Sequence, residues 1–80
     1  MVRVVMLNDE RARMDFVVDA LSSVAGLARK DAVAVMMRAH LKGRAGLAIL
    51  PPERATVMID ELASHARTSG QSLKCVMEKE

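Results

Sequence analysis

The sequence contains no tryptophan and no tyrosine, and Phe16 is its single aromatic side chain. The usual anchors of protein interfaces and the stacking platforms of single-strand nucleic-acid binders are therefore missing. Cys75 stands alone, which excludes an intramolecular disulfide framework and a cysteine-based metal cage. An excess of one charge is lacking too. Twelve Lys and Arg against 10 Asp and Glu leave a formal net charge of +2, and the basic residues lie scattered among acids. That pattern provides no basic stripe for nucleic acid, so no nucleic-acid partner is expected. No apolar run is long enough to span a bilayer and no signal-peptide pattern opens the chain, so a cytoplasmic protein without a membrane partner is expected.

Present instead is a 51% hydrophobic fraction in 80 residues, enough for one small core and too much for a disordered chain. The whole chain, residues 1–80, reads as a single domain. Val2 to Leu7 is rich in β-branched residues and reads as a strand. From Met14 the apolar positions Met14, Val17, Val18, Leu21 and Ala25 follow one helix face, with Gly26 as the stop. A second helix, about Arg29 to Lys42, carries Ala32, Val35, Met36, Ala39 and His40 on one stripe, and Gly43 sits at its C-terminal end.

Ala45 to Leu50 reads as a short buried strand closed by Pro51-Pro52. A third helix follows with proline in its first turn. Its buried face is Ala55, Met58, Ile59, Leu62 and Ala66, and Ser69-Gly70 ends it. Ser72 to Met77 alternates, with Leu73, Cys75 and Met77 on one side, and reads as the last strand. The order β-α-α-β-α-β predicts an α+β fold, a small antiparallel three-stranded sheet packed on one face by three helices. The expected helix caps, Ala12, Ala28 and Pro51, are poor ones, each costing roughly 1 kcal/mol. Asp15 and Asp31 in the first turns offset part of this through the helix dipole.

Asn8-Asp9-Glu10 at the end of the first strand is a cluster of hydrogen-bond acceptors next to a large soft side chain, Met14. Such a site would grip a cation at one end and an apolar group at the other. His40 admits two readings: a satisfied core histidine on an apolar stripe, or a ligand-facing ring that meets Asn8 and Asp9. His65 reads as an exposed helix-end residue, and Met6, Met58 and Met77 as core filler. No nucleophile elbow, phosphate-cradling glycine loop or metal-ligand spacing occurs, so neither catalysis nor a cofactor is expected.

These residues resemble a known family. "VVMLNDERARMDFVVDAL" is similar to the strand–loop–helix signature of the ClpS adaptors of the Clp protease, with its Asn-Asp pair. "AVAVMMRAHLKGRAG" resembles their second helix, which ends in His and then Gly, and "LASHARTSGQSLKCVMEKE" their last helix and strand. The resemblance implies a non-enzymatic adaptor without a cofactor. It would bind the first residue of N-degron peptide or protein substrates (Leu, Phe, Tyr or Trp) and deliver them to the N-domain of an AAA+ unfoldase of the ClpA or ClpC type.

Carried over by position, Asn8 and His40 accept hydrogen bonds from the substrate's α-amino group, and Asp9 and Glu10 contribute directly, through water or by charge. Leu7, Met14, Val17, Met36, Ala39 and Leu73 line the side-chain pocket, with Met14 as a gate against β-branched first residues. Glu53 marks the unfoldase-docking surface. The chain departs from the family pattern at Ala12 for Thr, Arg13 for Pro, Glu10 for Asp, Ala39 for Val, and Thr56-Val57 for Glu-Thr. The family's N-terminal extension is expected to be absent, with weak delivery as the consequence. Two other readings stay open here: a paralogue that docks on the unfoldase without reading degrons, and a ribosome- or nucleic-acid-associated α+β module.

The chemistry of a chain's first residue independently favours the degron reading. A peptide α-amine, with a pKa near 8, is mostly a cation at neutral pH and needs only acceptors around it. An internal peptide segment has no such cation.

Overall fold

The computed structural model describes residues 1–80. Six elements follow one another: β1 (Val2–Leu7), α1 (Met14–Ser23), α2 (Arg29–Lys42), β2 (Arg44–Leu50), α3 (Pro52–Thr68) and β3 (Lys74–Lys79). The sheet order is β2-β1-β3, and both pairings are antiparallel. β1 is central, so Val4, Val5 and Met6 are all buried in succession, and Val4 and Met6 join the core cluster. Facing them are Val17, Val18 and Leu21 of α1, Ala32, Val35 and Ala39 of α2, and Ala55 of α3. This is the three-helix, three-strand α+β arrangement expected from the pattern. No helix is long and apolar enough to cross a membrane.

Two glycines shape the site's surroundings. Gly43 closes α2 with φ 88°, a left-handed conformation in which a side chain would be strained. The chain then turns straight into β2, which places the end of α2 beside the end of β1. Gly46 lies opposite Val5 at an irregularity in the β1–β2 register, where Val4 pairs with Ala48 and Val5 with Gly46. A Cβ at Gly46 would meet Arg3 Cδ at 3.3 Å, so glycine lets the aliphatic stem of Arg3 lie on the sheet.

Several sequence expectations need correction. β3 begins at Lys74 rather than Ser72 and runs on to Lys79. Its first residue pairs with Leu7, the last of β1, so Ser72 would face a strand that has already ended. α1 ends at Ser23, before Gly26. The chain unwinds through Val24 and Ala25, and Gly26 (φ 76°) serves the turn in which the Leu27 amide donates to the Leu21 carbonyl at 3.1 Å.

The cap of α1 is Arg13, one residue later than expected, while Ala28 and Pro51 cap α2 and α3. None of the three makes a side-chain cap bond. Met77 is 44% exposed, because an edge strand carries it past the cover of the helices. His65 is half-buried, its ring stacked on that of Phe16 with centroids 5.4 Å apart and planes at 14°.

Candidate functional site

β1 delivers Leu7 to the edge of the core, and the loop after it carries the acceptors Asn8, Asp9 and Glu10. α1 starts beyond that loop with Met14 and then Val17, while α2 brings Met36, Ala39 and His40 on one stripe one turn apart. Leu73 arrives from the segment that precedes β3. These side chains surround one cavity of about 250 Å³, to which Met6 and Ala12 also contribute. The floor is apolar. Met6, Val17 and Ala39 are buried, Met36 and Leu73 half-buried, and Met14 stands 46% exposed at the mouth.

The polar rim divides in two. The side chains of Asn8, Glu10 and His40 are exposed and have no partner within the molecule. A carboxylate, an amide oxygen and one imidazole nitrogen are thus free to accept hydrogen bonds from a ligand. Asp9 is different: its side chain is only 7% exposed. Its Oδ1 accepts from the Arg11 amide at 3.0 Å and from Arg11 Nε at 3.4 Å, and its Oδ2 accepts from the Ser72 hydroxyl. The Ser72 hydroxyl, with help from the Arg11 amide, holds the carboxyl at a pKa of about 2, well below the usual aspartate value. Asp9 is therefore an anion under the rim at neutral pH, with a bond on each oxygen.

Two backbone tethers fix the loop. The Asn8 amide donates to the Gly43 carbonyl at 3.0 Å, joining the rim to the end of α2. The Arg13 amide donates to Gln71 Oε1 at 3.1 Å, which ties the residue before α1 across the molecule, while the first-turn Phe16 amide donates to Asp15 Oδ1 at 2.9 Å. Gln71 and Ser72 were not among the residues singled out from the sequence. Their only signal there was the polar pair between a helix-stopping glycine and a strand, which also fits an ordinary loop.

Glu53, exposed in the first turn of α3, lies away from this cavity. It borders a separate shallow depression with Leu50, Arg54, Val57 and Met58. Burial pushes the Cys75 thiol up to about 11, so it stays protonated and is no nucleophile at neutral pH.

A family model described as "ATP-dependent Clp protease adaptor protein ClpS" matches residues 1–76. The chain is 34% identical over 79 residues to the ATP-dependent Clp protease adapter protein ClpS of Paraburkholderia xenovorans, an alignment covering 99% of this chain and 76% of that protein. It is 32% identical over 79 residues to the ClpS of Nitrosospira multiformis, covering 99% and 78%. Among solved structures, Agrobacterium tumefaciens ClpS2 bound to L-phenylalaninamide superposes with a TM-score of 0.93 at 26% sequence identity, over 99% of this chain and 95% of that one.

Proposed function

The chain belongs to the ClpS family of Clp protease adaptors, and we propose that it acts there as a non-enzymatic receptor for N-degrons. It binds the free α-amino group and the hydrophobic first side chain of a substrate and passes that substrate, in the cytoplasm, to an AAA+ unfoldase of the ClpA or ClpC type. The observation that carries this reading is the set of unpartnered acceptors, Asn8, Glu10 and His40, on the rim of an apolar cavity. L-phenylalaninamide, the ligand of the A. tumefaciens relative, has the matching halves: an ammonium group and a benzyl side chain.

Energetics favour the same pairing. Hydrogen bonds to a charged group contribute roughly 1.5–3 kcal/mol each, and burying a Leu or Phe side chain adds about 1.5–3 kcal/mol. Two or three such terms, less the cost of ordering, suit affinities on the order of micromolar. Asn8 Oδ1 and a ring nitrogen of His40 take the amine, Glu10 completes the rim, and Asp9 adds its negative charge from beneath. Met14 closes over the side chain, which rests on Leu7, Val17, Met36, Ala39 and Leu73. Glu53 belongs to the surface that meets the unfoldase.

The test is isothermal titration of two otherwise identical Phe-initiated peptides, one with a free and one with an acetylated N-terminus. The free peptide binds and the acetylated one loses at least about tenfold, the equivalent of one charge-assisted hydrogen bond. Equal affinities reject the reading.

A further inference from the structure

We propose that Ser72 is a positioning residue of the amine site: by holding Asp9 from across the molecule, it sets the rim on which Asn8 and Glu10 stand. The inference rests on the cavity being the degron site, and deepens that reading. The loop Asn8–Arg13 is open to solvent along most of its length, and its own backbone provides one internal bond, from the Ala12 amide to the Asp9 carbonyl at 3.0 Å. What ties it to the rest of the molecule comes from two sides. On one side the Asn8 amide is bound to the Gly43 carbonyl. On the other, Gln71 accepts from the Arg13 amide at 3.1 Å and the Ser72 hydroxyl donates to Asp9 Oδ2.

The next residue, Leu73, lines the cavity. A single tripeptide, Gln71-Ser72-Leu73, therefore holds the start of α1, anchors the acceptor loop and forms part of the apolar wall. The pull on Asp9 has a direction. With Oδ2 drawn toward Ser72 and Oδ1 turned toward Arg11, the carboxylate is nearly shut off from solvent and stays below the rim. Its flanking residues Asn8 and Glu10 remain exposed and unpartnered. Without the hydroxyl, the Asp9 side chain loses its distant anchor and keeps only the contacts to its neighbour Arg11. The acceptors on either side are then less ordered before the ligand arrives, and binding must supply that ordering.

The experiment compares wild type with Ser72→Ala, Ser72→Thr and Gln71→Ala. For each, affinities are measured for the Phe-initiated peptide with a free and with an acetylated N-terminus, together with the thermal unfolding midpoint. Ser72→Ala lowers the free-to-acetylated affinity ratio roughly tenfold, the scale of one hydrogen bond to a charged group. Ser72→Thr, which keeps the hydroxyl, restores the ratio, and Gln71→Ala lowers it in the same direction. A carboxyl-carbon NMR titration of Ser72→Ala shows Asp9 moving from about 2 up toward the ordinary aspartate value of 3.8.

A purely structural role would lower the unfolding midpoint and leave the ratio alone. The proposal is overturned if Ser72→Ala keeps the wild-type ratio, or if Ser72→Thr loses it as fully as alanine does. If wild type itself binds both peptides equally, the degron reading falls and the proposal with it. If wild type discriminates and Ser72→Ala does so equally well, only the proposal falls.

Discussion

Asn8, Asp9 and Glu10 are consecutive and all carry acceptor oxygens, yet the structure gives them separate tasks by deciding whose atoms are already taken. Asn8 and Glu10 are open, whereas Asp9 is bound by Arg11 and Ser72. Removing an open acceptor should cost a charge-assisted hydrogen bond. Asn8→Ala and His40→Ala are each expected to weaken a Leu- or Phe-initiated peptide by about 1.5–3 kcal/mol, tenfold or more, in fluorescence anisotropy. Unchanged affinity in both variants would remove these residues from the site.

In the proposed site, Ala39 would act on the other half of the ligand. It is buried in the cavity wall, where a valine would add two methyl groups, so Ala39→Val should favour Leu over Trp at the first position relative to wild type. Equal Leu-to-Trp affinity ratios in the two proteins would contradict this. Asp9 contributes to stability through its depressed pKa. Its carboxyl is held at about 2 in the folded chain against the ordinary aspartate value of 3.8, so its contribution is fully present above about pH 4 and is lost as pH falls through 2. Asp9→Asn should flatten that part of the acid-unfolding profile, measured by circular dichroism. An unaltered profile would assign the loss to other carboxylates.

Among the elements, the junction of α2 and β2 matters most to the site, because the Gly43 carbonyl holds Asn8 and Gly43 itself has φ 88°. Open space surrounds this glycine, so the cost of a side chain there is conformational rather than steric. Gly43→Ala is expected to lower stability by roughly 1 kcal/mol in urea titration.

Elements with a strong period were legible from the sequence: β1, with its β-branched run, and the stripe of α2 that brings Met36, Ala39 and His40 to one cavity. What escaped was set by distant partners. Whether Ser72 belongs to a strand depends on where β1 ends, and no local pattern around Ser72 records that. The alternation of Leu73, Cys75 and Met77 is genuine, but it does not tell that β3 is an edge, where Met77 is left exposed. The tether at the start of α1 was invisible because Gln71, which accepts from the Arg13 amide, lies 58 positions away. His65 looked like a surface residue because stacking on Phe16 is a contact between α1 and α3 that neither helix announces alone.

Taken whole, the molecule has little core to spare. Only 15 of 80 residues are buried, and several of those are alanines, so each large buried side chain carries much of the stability. Leu21 and Leu62 are almost wholly enclosed. Leu62→Ala should cost about 2–5 kcal/mol, a large share of the 5–15 kcal/mol typical of a folded domain. A urea midpoint close to wild type would show that the site collapses around the smaller residue. The same thrift explains how the cavity can persist: it sits where β1, α1 and α2 meet, with its floor on buried core residues and its rim on a loop held from two sides. In the proposed complex, an ammonium at the rim and an apolar group on the floor would then engage parts of one packed unit.

The most direct measurement is a crystal structure of this protein with L-phenylalaninamide. The ring should occupy the cavity against Val17, Met36 and Ala39, with the amine nitrogen about 3 Å from Asn8 Oδ1 and from a ring nitrogen of His40. An amine pointing to solvent, or a ligand seated anywhere else, would contradict the account.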